Sequence, residues 1–232
     1  MEWSNASQGA RAWRSHLEHL GIVTLQLSLG KESIRGFSVW GEFAPVVAVN
    51  TAYHPTARSY TLFHEVGHLL TRSDSACFNF MSPSRRDSRL ERWCEEFAAA
   101  LLLPASAVRR VASRYLNAEG LVDDVGAVRS IANRFKTSTR AASIRLQELG
   151  LAENSLYGRV DREMASYDWN SGGGGGGGQP RTEKRLGQVG LRTLSTLFDA
   201  AARGRLNERD VASHLRLSVG EVADLKSMVS IG

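Results

Sequence analysis

Two histidines and one glutamate fall within five consecutive residues, His64-Glu65-Val66-Gly67-His68. On a helix, residues four apart lie on one face, so both imidazoles can bind one metal ion. Glu65 is rotated by about 100° from His64 and can approach a metal-bound water without binding the ion. Gly67 lowers the local helix propensity by about 1 kcal/mol, which predicts that another element packs closely there. The spacing therefore predicts a metal site with its own general base. The alternative is a pair of surface histidines beside a helical glutamate.

A catalytic zinc ion usually has three protein ligands and one open position. The motif supplies two, and residues 69–74 (LLTRSD) contain no further histidine. A helix predicted over about 88–103 offers Glu91, Glu95 and Glu96. Glu91 and Glu95 share a face, and Glu96 is displaced from it. Any of these carboxylates could instead belong to a solvated helix face, so the third ligand stays open at this point.

The elements that must position these residues follow from the hydrophobic pattern. The sequence predicts an α+β fold, in which a small three-stranded sheet packs with the helices that carry the HExxH zinc site. The predicted elements are a helix over 10–20, strands over 22–29, 36–40 and 45–50, a helix over 57–70, a loop over 71–88 and a helix over 88–103. Asn50 and Asp74 could orient the imidazoles, although a role in a turn is the simpler interpretation of both. Tyr53, His54 and Tyr60 lie close to the motif in sequence, and we expect structural roles for them.

Three segments carry a family resemblance: RGFSVWGEFAPVVAVN, RSYTLFHEVGHLL and ERWCEEFAAALLLP. In this order and spacing they resemble the ImmA/IrrE family of metallopeptidases. The resemblance implies that His64, His68 and Glu91 hold Zn²⁺ and that Glu65 is the catalytic base. The sequence departs from the family at Glu95, where the family commonly has asparagine.

The resemblance also implies an activity. It predicts a zinc-dependent endopeptidase that cleaves a specific protein, a helix-turn-helix transcriptional repressor, and so relieves repression in a stress or mobile-element response. The alternative is a non-proteolytic DNA- or protein-binding regulator that uses the peptidase-like domain as a scaffold or sensor. The complete set of His64, Glu65, His68 and Glu91 favours the enzyme.

The composition is that of an ordinary globular protein, with 232 residues, 42% hydrophobic residues and a formal net charge of +5. The longest apolar run, Phe97 to Leu103, is much shorter than the roughly 20 residues of a membrane span. Two cysteines, Cys77 and Cys94, do not form a disulfide framework. We therefore expect a cytoplasmic protein with no membrane partner.

Four segments are predicted along the chain. They are a zinc metallopeptidase domain (1–115), a helix-turn-helix or winged-helix-like module (116–170), a Gly-rich linker (171–180) and a small helical module (181–232). The linker contains seven consecutive glycines and should be flexible. The last module should contain helices over 187–203, 207–215 and 218–229.

The helix-turn-helix-like module combines predicted helices over 123–135 and 138–150. Five basic residues and no acidic residue lie between Val125 and Gln147; they are Arg129, Arg134, Lys136, Arg140 and Arg145. Contact with DNA through 125–147 is one use of such a surface. A solvated face or a binding site for an acidic protein would give the same pattern.

Overall fold

A computed structural model describes residues 3–30, 33–73, 75–77, 88–165 and 178–230. These residues form eleven helices and one four-stranded sheet, which confirms the α+β fold class. The strands are β1 (Val23–Leu27), β2 (Gly36–Val39), β3 (Val46–Asn50) and β4 (Ser75–Cys77). The helices are α1 (Ala6–His19), α2 (Pro55–Leu70), α3 (Ser88–Leu102), α4 (Ala105–Ala112), α5 (Val125–Phe135), α6 (Thr139–Glu148), α7 (Ser155–Ala165), α8 (Arg181–Val189), α9 (Leu191–Ala202), α10 (Glu208–Leu215) and α11 (Val219–Ser230).

The sheet has the strand order β1-β3-β2-β4. β1 runs parallel to β3, with Val23 opposite Val46, and β2 runs antiparallel to both β3 and β4. The three-stranded sheet in the prediction was one strand short, because Ser75–Cys77 was assigned to the 71–88 loop. This strand owes its conformation to pairing with β2, opposite Gly36 to Ser38, and such non-local pairing leaves little pattern in three residues.

Helix α2 lies at the centre of the first hydrophobic core. Strand β3 contributes Val47 and Val49, and α3 contributes Ala98 and Leu102. Helix α2 packs against α1, α3, β2 and β3, so residues 61–69 are buried on every side. A helix surrounded in this way is apolar around most of its circumference, and its polar residues need partners inside the core.

Two further hydrophobic clusters occupy the rest of the described chain. One runs from Leu103 to Met164 and includes the fully buried Val128, Ile131 and Leu146 of α5 and α6. The other joins α8 to α11 through residues such as Leu194 and Leu225. Helix α7, which closes the first of these clusters, was not among the predicted elements.

Helices α8 and α9 contact elements that form the first core. Helix α8 packs against β1, and α9 contacts α1. The Arg14 guanidinium donates hydrogen bonds to the carbonyl oxygens of Gly187 (2.5 Å) and Gln188 (3.2 Å). These bonds join the C-terminal end of α8 to α1.

Gly190 explains why the predicted helix over 187–203 is two helices. Its φ of 91° lies in the left-handed region that favours glycine, and it separates α8 from α9. A Cβ atom at Gly190 would collide with the Glu18 carboxylate and the Arg14 guanidinium. The break therefore lies where α1 meets the C-terminal helices. None of the helices in the described part of the chain is long and apolar enough to span a lipid bilayer.

Candidate metal centre

Helix α2 begins at Pro55 and carries the HExxH motif in its second half. The side chain of His54 caps the helix by accepting a hydrogen bond from the Thr56 amide at 3.4 Å. Proline suits the first turn because its φ matches the helix and its missing N–H has no partner there anyway. His64 and His68 are four residues apart and both are buried.

Helix α3 supplies a carboxylate to the same place. A Cβ atom at Gly67 would lie 3.0 to 3.2 Å from the Sγ, Cβ and Cα atoms of Cys94, so the two helices are in close contact at this point. This confirms that an element packs against Gly67. Glu91 lies about one turn before Cys94 on α3 and so faces the histidines.

The ligand groups of His64, His68 and Glu91 form a compact triangle, in which each oxygen of the Glu91 carboxylate lies near one histidine. The two Nε2 atoms are 3.3 Å apart, His64 Nε2 is 3.3 Å from Glu91 Oε2, and His68 Nε2 is 3.5 Å from Glu91 Oε1. Among the residues that the structure describes, these three form the group able to hold a metal ion. The geometry thus brings together the three residues that the resemblance implied.

The separations within this triangle are close to those between the ligands of tetrahedral zinc. With Zn–N and Zn–O distances near 2.0–2.1 Å, adjacent ligands in a tetrahedral site are about 3.3–3.4 Å apart. Two imidazole nitrogens and one carboxylate are also a common ligand set of catalytic zinc, which keeps its fourth position open. The residues present therefore fit a tetrahedral divalent metal.

Glu65 is fully buried beside this triangle, next to strand β2. The backbone of β2 can come this close because residue 36 is glycine. A Cβ atom at Gly36 would lie 2.6 Å from Thr61 Cγ2 and 2.7 Å from the Ala48 carbonyl oxygen, and 3.4 Å from Glu65 Cγ. Gly36 thus makes room for the Glu65 side chain between α2 and the sheet.

The end of α2 orients His68. Arg72 adopts a φ of 54°, which turns the chain back so that the Ser73 amide donates to the His68 carbonyl at 2.9 Å. The Ser73 hydroxyl then lies 3.1 Å from His68 Nδ1. A hydrogen bond at Nδ1 fixes the orientation of the ring and leaves Nε2 to bind a metal.

Burial determines the electrostatics of the cluster. Burial lowers the pKa of His64, which favours the neutral imidazole that binds metals, although the nearby Glu65 and Glu91 carboxylates oppose this shift. Burial, reinforced by the charges of Glu91, Glu65 and Glu95, raises the pKa of the Cys94 thiol to about 12. Cys94 is therefore a neutral packing residue and not a nucleophile.

Several other predicted candidates have structural contacts. Asn50 makes four hydrogen bonds to backbone groups: its amide donates to Gly30 (2.7 Å) and Ile34 (2.9 Å), and its oxygen accepts from Leu29 and Ala52. It therefore holds the chain around β3 and does not orient an imidazole. Asp74 lies outside the described residues.

The remaining neighbours of the motif also tie elements together. The Tyr60 hydroxyl donates to the Glu95 carbonyl oxygen at 3.2 Å, which joins α2 to α3, and burial raises the pKa of the Tyr60 phenol. Tyr53 packs under the Arg35 guanidinium. Burial, then the charge of Glu91, raises the pKa of Glu95, and its carboxylate is not part of the triangle.

Two residues of the site were missed by the sequence analysis. Ser73 carries no pattern that distinguishes it from a turn residue, because its contact with His68 depends on the left-handed turn at Arg72. Gly36 had a weak signal as the glycine of the RGF segment, and a close backbone approach is a common reason for such a glycine.

The site and the α+β fold define a class, the metal-dependent hydrolases with an HExxH helix and a glutamate from a second helix. The family model of the IrrE N-terminal-like domain, a peptidase family, matches residues 17–147, which is more than half of the chain. The chain belongs to this family and carries a metallopeptidase-like domain. A search of curated proteins finds no match.

Proposed function

We propose that the protein is a cytoplasmic zinc-dependent endopeptidase that cleaves a specific protein, a helix-turn-helix transcriptional repressor, and thereby relieves repression under stress or after a mobile-element signal. The observation that carries the enzymatic part is the triangle of His64, His68 and Glu91 beside the buried Glu65. The repressor as substrate is supported by the family alone.

The ligand spacing supports zinc as the metal. The separations of 3.3 to 3.5 Å between the His64, His68 and Glu91 groups are close to those between tetrahedral zinc ligands. An octahedral Mg²⁺ site, with about 90° between neighbouring bonds, would need adjacent ligands about 2.9 Å apart and prefers oxygen ligands. Two of the three ligands here are imidazoles, which also favours zinc.

The roles of the residues follow from their positions. A bound zinc ion supplies a Lewis acid that activates water and polarises a peptide carbonyl. His64, His68 and Glu91 would hold the ion, and Ser73 would hold the His68 ring in its binding orientation. The Glu65 carboxylate would accept a proton from the attacking water and deliver it to the leaving amine.

Substitution of Glu65 tests the enzymatic proposal. Purified protein is incubated with a candidate helix-turn-helix substrate, chosen first from any such protein encoded next to it, and the products are identified by intact mass. Glu65→Gln should abolish cleavage and retain metal, whereas Glu96→Gln, an exposed glutamate on α3, should leave both unchanged. Cleavage by the Glu65→Gln protein at the wild-type rate would mean that the protein does not act as proposed.

A further inference from the structure

Two pairs of helices in this chain are joined in the same way. Residues 136–138 join α5 to α6, and residues 216–218 join α10 to α11. In each turn the first residue is basic and left-handed, Lys136 with φ 54° and Arg216 with φ 51°. In each, a serine hydroxyl then caps the second helix, Ser138 at 3.1 Å and Ser218 at 3.3 Å. A three-residue turn of this kind is typical of the helix-turn-helix motif.

The buried positions of the two pairs also correspond. Ala132 and Ala212 are both buried four residues before the left-handed residue, and Ala142 and Val222 are both buried six residues after it. Each pair therefore packs its two helices through equivalent positions. The C-terminal pair was predicted only as helices without any chemistry, so its motif is a finding of the structure.

The two pairs differ in what lies over the second helix. Helix α7 packs against α6, the Arg140 guanidinium donates to Asp161 at 2.6 Å, and Ser143 is fully buried. By contrast, the corresponding face of α11 is exposed over the described part of the chain. Its residues are Val219, Gly220, Ala223, Asp224 and Ser227. Of the two second helices, α11 thus has the more open exposed face.

The arginines of the α5–α6 pair are also less available to a nucleic acid. Of the five basic residues predicted to contact DNA, three are paired with carboxylates inside their own module: Arg129 with Glu163, Arg140 with Asp161 and Arg145 with Glu148. An arginine that already has an acidic partner contributes less to phosphate binding. Residues 125–147 therefore offer a poorer DNA surface than their sequence suggested.

Three arginines lie close together at the turn between α10 and α11, and one of them, Arg181, is paired with Glu221. Arg181 Nη1 lies 3.1 Å from both oxygens of Glu221, and Arg181 Nη2 donates to the Arg216 carbonyl at 2.6 Å. Partial burial and the charges of Arg216 and Arg181 lower the pKa of Arg185. Across residues 178–230 there are nine Lys/Arg against six Asp/Glu. The turn thus carries an excess of positive charge.

We propose that the α10–α11 pair binds double-stranded DNA, with Arg185 and Arg216 at the phosphodiester backbone and the exposed face of α11 in the major groove. The small side chains of Gly220 and Ala223 permit the close approach that the groove requires. Asp224 is acidic, and its carboxylate suits a cytosine amino group rather than a phosphate. A protein partner would need a larger apolar surface, whereas Val219 is the exposed large apolar residue of α11.

Fluorescence anisotropy tests this proposal. The full chain is titrated into a labelled, randomised DNA duplex at salt concentrations from about 50 to about 200 mM. The affinity should fall steeply with salt. Arg185→Gln/Arg216→Gln should weaken binding at least about 5-fold and flatten the log–log salt slope by about 2, one unit for each lost phosphate contact. Arg181 is left unchanged because it also holds the Arg216 carbonyl.

The matched control is Arg129→Gln/Arg140→Gln, which removes two arginines from the α5–α6 pair and should leave binding within about 2-fold of wild type. A second variant, Ala223→Glu, places a negative charge on the exposed face of α11 and should also weaken binding. Circular dichroism verifies that every variant is folded.

Three outcomes would overturn the proposal. They are no duplex binding at the lowest salt concentration, a larger loss in the Arg129/Arg140 variant than in the Arg185/Arg216 variant, and displacement of the duplex by polyglutamate as readily as by unlabelled DNA. The last result would identify a site for acidic proteins. None of these measurements depends on peptidase activity, so the outcome is independent of the proposed cleavage.

Discussion

Two polar clusters beside the same core differ in how their charges are balanced. On α1, the Arg14 guanidinium donates to Glu18 at 2.7 Å and to the Thr24 hydroxyl at 3.1 Å, and the Thr24 hydroxyl donates to Glu18 at 2.7 Å. That cluster contains both charges of an ion pair. The cluster of His64, His68 and Glu91 instead joins three electron-pair donors. The first is therefore complete as a structural element, whereas the second has the composition of a ligand set.

The largest effect is expected from a substitution within the cluster of His64, His68 and Glu91. Glu91→Ala should abolish stoichiometric metal binding and cleavage, because a catalytic zinc site loses one of its three protein ligands. Metal content after dialysis, measured by elemental mass spectrometry, checks this. Glu95→Ala is the control, since Glu95 lies one turn further along α3 and outside the triangle. Loss of metal in Glu95→Ala alone would show that the other carboxylate is the ligand.

The sequence allowed the ligand cluster to be predicted because its signal is local. His64 and His68 are separated by one helical turn, and the family segments around Glu91 indicate the third ligand. The orientation of His68 by Ser73 could not be predicted in the same way. It depends on a left-handed residue at Arg72, where nothing in the side-chain pattern indicates such a conformation.

Removal of Arg14 should have the next largest effect, on stability. Burial lowers the pKa of Arg14, and Glu18 opposes this shift by favouring the charged form. Arg14→Ala leaves the Glu18 carboxylate buried without its partner and should reduce the free energy of unfolding by about 3–5 kcal/mol in urea denaturation. It should also release α8, detected as faster proteolysis near Gly187.

A double variant distinguishes the effect of the buried charges from the effect of the contact between Arg14 and α8. Arg14→Met/Glu18→Gln removes both charges, and the introduced amide can still accept from Thr24. Its loss of stability should be clearly smaller than that of Arg14→Ala, because no buried charge remains unpaired. Proteolysis near Gly187 should remain fast, because the bonds to the Gly187 and Gln188 carbonyls are lost. Equal losses in the two variants would contradict the comparison between the clusters.

The contact made by Arg14 shows which part of the fold could not be predicted. Arg14 and Gly187 are 173 residues apart, and an arginine on an amphipathic helix is usually a solvated residue. The break at Gly190 has the same origin, because glycine alone fits against Arg14 and Glu18 there. By contrast, the ends of α2 and α3 were predicted closely, since Pro55 and Pro104 mark helix boundaries locally.

Ser73→Ala tests whether the contact between the Ser73 hydroxyl and His68 supports metal binding. It removes the hydroxyl at 3.1 Å from His68 Nδ1 and leaves the three ligands in place. Metal affinity should fall about 10- to 100-fold, the usual cost of losing a hydrogen bond to a ligand imidazole. Competition with a chelator of known affinity measures this. The urea midpoint of the metal-free protein should change little, and a large drop would show that Ser73 supports the fold rather than the ligand.

The smallest expected effect concerns the packing that brings Glu91 to the histidines. Gly67→Ala adds a methyl group 3.0 to 3.2 Å from Cys94 and should push α3 away from α2 by a few tenths of an ångström. The overpacking costs about 1–3 kcal/mol, and the gain in helix propensity offsets about 1 kcal/mol of it.

Gly158→Ala is the matched control. Gly158 on α7 has open space around it, so this substitution should stabilise the protein by up to about 1 kcal/mol. Gly67 lies where the two ligand-bearing helices are in close contact, so its substitution should weaken metal binding together with stability. Gly158→Ala should leave metal binding unchanged. Unchanged metal affinity in Gly67→Ala would show that the close contact with Cys94 serves the fold alone.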